Sequence, residues 1–188
     1  MTRKKKRIVQ VIVGTSLNGK ITDGSGDFLQ YSSLEDQAFL RIKIKQSDVL
    51  IMGRKTFEKH VKRVGVKPII VFTKNARSLH SPRSACSERS RSVGMTVISI
   101  FCGSKNDLLS LLNRFDYRTV TVLGGAEIYH WFIQQGLVTD LFITVEPYIF
   151  GQGKNFLDGR NLILVQNFRL VSLKRLNDQG TLLLHYQP

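Results

Sequence analysis

The stretch "MGRKT", Met52 to Thr56, sets two cations and a threonine behind a glycine, directly after the apolar run "DVLI". A helix that begins here exposes unpaired N–H groups and partial positive charge at its first turn. Adding Arg54 and Lys55 at that point gains little for stability. It suits an anion that docks on the turn. A second place of the same kind is "VTVLGGAEIY", where Gly124 and Gly125 close a strand and a helix follows. Paired glycines allow positive φ and close backbone approach, and the following N–H groups can meet a phosphate. The dinucleotide fingerprint G-x-G-x-x-G is absent, so these two turns are expected to hold one pyrophosphate between them. In "VFTK", Thr73 and Lys74 lie at a third strand end, within the expected reach of a ribose 2′-phosphate. In "SLED", Glu35 and Asp36 stand in the first turn of a helix capped by Ser33, where the dipole favours acids.

These residues need elements to hold them. Apolar runs and helical periods alternate along the chain. Ile8–Val13, "VLIM", "KPIIVFT", "MTVISIF", "TVTVLGG" and "DLFITVE" read as strands, the last stopped by Pro147. "SLEDQAFLRIKIKQ" is a helix capped by Ser33, and "SKNDLLSLLNRF" is one capped by Ser104 or Asn106. "AEIYHWFIQQ" is a helix closed by Gly136, and "FRLVSLKRL" with "GTLLLHYQ" forms a terminal hairpin. Thus the expected fold is α/β: a single domain, 1–188, on a mostly parallel eight-stranded sheet with an antiparallel C-terminal hairpin. "TSLNGKITDGSGD" is a long polar loop of the kind that carries function.

Composition limits the alternatives. A chain of 188 residues supports one sizeable core. No apolar run approaches a membrane span, and "MTRKKKRIVQVIVG" is followed by no cleavage-type segment, so it reads as a basic tail, 1–7, entering a strand. Cys86 and Cys102 lack metal-ligand spacing, no metal site is expected, and a reducing cytoplasm is the default. The net charge of +14 is unevenly spread. The tail carries five cations, and the Ser/Arg-rich segment 78–93, read as an inserted surface loop, carries three arginines against one glutamate, with Arg77 just before it. The body keeps about +6, which suits phosphate- or carboxylate-bearing ligands. Aromatics do not interleave with the basic clusters, which argues against a single-strand binder. A non-enzymatic, RNA-associated protein is the reading of a different class, and it rests on the tail.

The order SLNGKI, ED–AF, MGRKT, VFTK, LGGAEIY and DLFITVEPYIFGQGKNF resembles the dihydrofolate reductase superfamily over nearly the whole chain. "GRKTFE" and "GGAEIY" look like dihydrofolate reductases proper. "SLNGKI", "QQGLVTDLFITVEPYIFGQGKNF" and "LLLHYQ" look like the reductase domain of riboflavin biosynthesis. The resemblance implies NADPH as cofactor and hydride transfer to a C=N bond of a pteridine or pyrimidine substrate. It implies that Gly53, Arg54, Lys55 and Thr56, with Gly124, Gly125, Ala126, Glu127, Ile128 and Tyr129, bind the pyrophosphate, and that Thr73 and Lys74 bind the 2′-phosphate. Val13, Gly14, Asn18, Lys20 and Ile21 would follow the nicotinamide and its closing loop. Asp36, or Glu35 one residue earlier, would support protonation, with Thr144 hydrogen-bonded to that carboxyl. Phe39 would line the ring pocket, and Lys67 would replace the arginine that holds the folate glutamate. Leu123 stands where riboflavin-pathway reductases usually carry a glutamate, and their Asp-Asp-Pro-like segment is missing from "EKHVKRVG". The expectation is therefore dihydrofolate first, then the riboflavin-pathway substrate 5-amino-6-(5-phosphoribosylamino)uracil. Riboflavin-branch relatives often dimerise, which allows a homodimer.

Overall fold

The computed structural model describes residues 6–25, 30–73, 90–93, 96–157 and 166–188. Strand β1 (Ile8–Ser16) runs through the middle of the sheet, longer than its apolar stretch alone indicates. It is followed by α1 (Leu34–Gln46), β2 (Val49–Gly53), the short α2 (Arg54–His60) with a 3-10 turn at Val61–Arg63, and β3 (Ile69–Phe72). Then come β4 (Ser90–Val93), β5 (Thr96–Phe101), α3 (Lys105–Arg114), β6 (Thr119–Val122), α4 (Ala126–Gln134) and β7 (Asp140–Glu146). The hairpin β8 (Arg169–Arg175) and β9 (Leu182–Gln187) ends the chain.

The strand order is β4-β5-β3-β2-β6-β1-β7-β9-β8. All pairings from β5 to β7 are parallel, whereas β4 on β5, β9 on β7 and β8 on β9 are antiparallel. The eight strands expected from the sequence are present. A ninth, β4, comes from the end of the segment read as an inserted loop, while residues 74–89 of that region lie outside the described residues. β-branched side chains dominate the buried strands because both faces are covered. Val9, Val11 and Val13 meet Leu108, Leu112 and Phe132 of α3 and α4 on one face. Leu50, Met52, Ile69 and Val71 meet Ile44 of α1 on the other.

Caps set the helix starts. Ser33 accepts the N–H of Asp36, and Ser104 forms a reciprocal capping box with Asp107, which settles the choice between Ser104 and Asn106. Gly136 takes φ +60° just after α4, the left-handed conformation that favours glycine at a helix end.

Candidate active site

A cleft of about 2090 Å³ opens along the C-terminal ends of the parallel strands, the usual position for ligands in such sheets. Its floor is Val13 and Gly14 from β1, Met52 and Gly53 from β2, Phe72 and Thr73 from β3, and Leu123 and Gly125 beyond β6.

The two glycine turns meet here. The N–H of Gly53 donates to the carbonyl of Gly124 at 2.7 Å. A side chain at Gly53 would press on Ile128 at 3.1 Å, and one at Gly124, where φ is +99°, would strike the Tyr129 ring at 2.7 Å. The Gly124–Gly125 peptide is cis. Thr56 Oγ1 stands 3.4 Å from where a Cβ on Gly125 would be. Neither Gly53 nor Gly125 gives its helix a side-chain cap, so no side chain at the N-cap position competes with a ligand for the first turn of α4. With only seven residues, α2 has little dipole of its own. Its contribution is the side chains of Arg54, Lys55 and Thr56, all on the cleft wall. Arg54 also pairs with Glu58 one turn on, at 2.8 Å. This uncapped, cation-flanked floor fits a pyrophosphate.

Of Glu35 and Asp36, it is Asp36 that reaches the cleft. It is 6% exposed and accepts the hydroxyl of Ser32 at 2.6 Å. Burial lifts its pKa above the ordinary aspartate range, and the charge of Glu146 acts in the same direction, while Ser32 and Thr144 oppose the rise. Thr144 is buried on β7 and faces this carboxyl. Its Oγ1 nevertheless lacks the geometry of a formed hydrogen bond. Glu35 points the other way, exposed, and accepts Asn177 Nδ2 at 3.1 Å, which holds its carboxyl below the usual range.

Several residues singled out by resemblance lie away from the cleft. Phe39 packs on Phe142 with ring centres 5.4 Å apart. The residue one full turn beyond Asp36 is Leu40, which lines the cleft with Gln37, Arg41 and Ile44, as a 3.6-residue period requires. Lys67 donates to the carbonyls of Lys45 and Ser47 at 2.9 and 2.7 Å, capping the end of α1. Asn18 exchanges hydrogen bonds with the backbone of Phe150, and Lys20 reaches Gly151 O, so both brace the loop after β1 rather than face the cleft. Ile21 does line it, as do Ala126, Glu127, Ile128 and Tyr129. The Tyr129 hydroxyl is committed to Ile12 O at 2.9 Å and burial drives its pKa upward, so it packs and does not titrate. Lys74 lies outside the described residues.

Sequence reasoning passed over Ser32, Glu146, Arg41, Lys59, Arg63 and the strip Gly153–Asn155. Period two along β7 could have found Glu146, because it shares a strand face with Thr144. Gly153, at φ +111°, lies so close to Thr22 O that any Cβ would overlap it. No residue pattern announces that contact. Among the described residues no group of His, Cys, Asp and Glu could hold a metal ion, and no helix is long and apolar enough to cross a membrane.

The sequence matches the RibD C-terminal domain over residues 7–182, and the chain belongs to that family. A search of curated proteins gave no match. Solved structures agree in fold. A pyrimidine reductase-like protein from Corynebacterium diphtheriae superposes with TM-score 0.74 at 14% identity, covering 96% of this chain and 91% of that one. A diaminohydroxyphosphoribosylaminopyrimidine deaminase/5-amino-6-(5-phosphoribosylamino)uracil reductase from Thermotoga maritima gives 0.73 at 18%, covering 98% of this chain and 57% of that one. A dihydrofolate reductase from Enterococcus faecalis, complexed with NADP(H), gives 0.62 at 15%, with 96% and 95% covered.

Proposed function

We propose that this chain is an NADPH-dependent reductase whose substrate is a phosphorylated pyrimidine of the riboflavin pathway, 5-amino-6-(5-phosphoribosylamino)uracil or a close relative. The observation that carries it is where the cations stand. Lys67, the expected partner for a folate glutamate, is spent on the carbonyls of α1. Arg41, Lys59 and Arg63 instead line the cleft wall formed by α1, α2 and the 3-10 turn, where a substrate phosphate can be met. Membership of the RibD C-terminal domain family favours the same substrate. The ranking expected from sequence, with dihydrofolate first, is reversed.

The glycine turns, with Arg54, Lys55, Thr56 and the N–H groups of α4, would hold the pyrophosphate. Val13, Gly14 and Ile21 would flank the nicotinamide, which when bound supplies a hydride. Positioning is then the main task of the protein. Reduction of a C=N bond places the hydride on carbon and a proton on nitrogen. Asp36, held buried and protonatable, gives or relays that proton. Dihydrofolate remains the second reading, favoured by a buried Thr144 that faces Asp36. The deciding experiment follows loss of reduced-nicotinamide absorbance with each substrate in turn. Oxidation of NADPH with the phosphoribosyl compound and none with dihydrofolate is expected. The reverse would restore the folate reading, and no oxidation with either would reject both.

A further inference from the structure

Within electrostatic reach of Asp36 the fold buries a second acid. Glu146, the last residue of β7, is 1% exposed, and a carboxyl so deep persists only where its oxygens are met. Its Oε1 accepts the N–H of Ser33 at 2.8 Å, and its Oε2 accepts the hydroxyl of Thr181 at 2.7 Å. Thr181 is itself oriented by Asn177, which donates to its Oγ1 at 3.0 Å and accepts its N–H at 3.1 Å. Asn177 also donates to Glu35 at 3.1 Å. The turn between β8 and β9 is thereby tied to the first turn of α1 through one buried side chain. Ser33 is the residue whose hydroxyl caps the N–H of Asp36, so Glu146 fixes the cap that fixes the acid.

We propose that Glu146 is a positioning residue for Asp36: it locks the first turn of α1 onto the β7–β9 edge and, as a neighbouring buried acid, sets the pH range over which Asp36 carries its proton. Both partners of Glu146 donate, so both of its oxygens act as acceptors, the role a carboxylate fills. A like charge close by favours the protonated form of its neighbour. The remaining groups around Asp36 do not substitute for it. Ser32 and Thr144 are neutral, the Tyr129 phenol is occupied by Ile12 O, and Glu35 faces solvent. Burial raises the Asp36 pKa most, and the Glu146 charge adds to it.

The inference rests on Asp36 as proton donor, but its first test needs no substrate. In ligand-free protein carrying ¹³C-labelled aspartate carboxyls, the Asp36 resonance is identified by its absence in Asp36→Asn and titrated in wild type and in Glu146→Gln. Glutamine keeps the shape and an acceptor for Ser33 while removing the charge. The expected result is a midpoint lower by about half a pH unit or more, followed by the same displacement of the alkaline limb of kcat/KM with NADPH and the phosphoribosyl substrate. An unmoved midpoint overturns the proposal and leaves Glu146 as a staple of the turn. Should Glu146→Gln not fold, Thr181→Val removes one donor from the carboxylate and should move the midpoint the same way; no movement there overturns the proposal equally. Coupling seen by titration in a protein that oxidises NADPH with neither substrate would reject the proposed reaction, not the pairing of the two acids.

Discussion

Asp36 brings activity and stability into opposition. Its carboxyl is shifted upward by burial, so the folded protein binds this proton more tightly than the unfolded chain does. The stabilisation is fully present below the ordinary aspartate pKa and is lost as pH rises through the folded value. Above the ordinary aspartate pKa, burial of this carboxyl is therefore a cost to the fold. Asp36→Asn should lower turnover at pH 7 by about 10²–10⁴, and the loss should shrink where solvent protonates the substrate. The same substitution should raise the neutral-pH melting temperature, by roughly 2–4 °C for each kcal/mol relieved; thermal unfolding at pH 5 and 7.5 checks it, and an equal effect at both would contradict the assignment. Trp131 provides a direct probe of the cofactor end. It is the only tryptophan in the chain, lines the cleft, and packs edge-on to Phe72 at 5.2 Å. Titration with NADPH should quench its emission, and unchanged emission at saturation would move the adenosine end elsewhere.

The elements show why some of the site was legible and some was not. "MGRKT" and "LGGAEIY" were readable because a strand, a glycine and a helix start are local features, and the hydrogen bond from Gly53 to Gly124 joins two turns already in evidence. Glu35 and Asp36 were harder to separate. Both suit a first helical turn, and α1 has no clear amphipathic stripe, so only packing tells which faces inward. The slip from Leu40 to Phe39 has the same origin. Lys67 and Glu146 depend on contacts between segments distant in sequence, which no spacing reports. Two substitutions test these elements separately. Gly125 has φ −73°, and a Cβ there meets only Thr56 Oγ1 at 3.4 Å. Gly125→Ala should therefore fold normally yet crowd the anion floor, weakening NADPH binding by about tenfold, the loss of one charge-assisted contact; unaltered affinity by calorimetry would exclude this turn from the phosphate site. Lys67→Met should cost about 1 kcal/mol by uncapping α1 and leave KM for the substrate unchanged. A large rise in KM would return Lys67 to the substrate pocket.

Of the net +14, the tail and the Ser/Arg-rich segment account for more than half, and the cations that line the cleft belong to the body. If catalysis resides in the body, the two basic segments can be removed without harm to it. Residues Ser90–Val93 must stay, because β4 pairs with β5 at the sheet edge. Deleting residues 1–5 and replacing 78–89 with a short Gly/Ser link should leave turnover within a few-fold, since closure entropy changes only slowly with the length of a connection. NADPH should still bind more tightly than NADH, by roughly tenfold to a hundredfold, as one charge-assisted contact to the 2′-phosphate provides. That preference should weaken as salt screens the exposed cations. Binding to a polyanion such as single-stranded RNA should fall sharply in the shortened protein, because phosphate affinity follows the number of neutralising cations. Equal affinity for the two cofactors would remove the 2′-phosphate site. A shortened protein that is folded but inactive, while the full chain binds RNA tightly, would favour the RNA-associated reading over the enzyme.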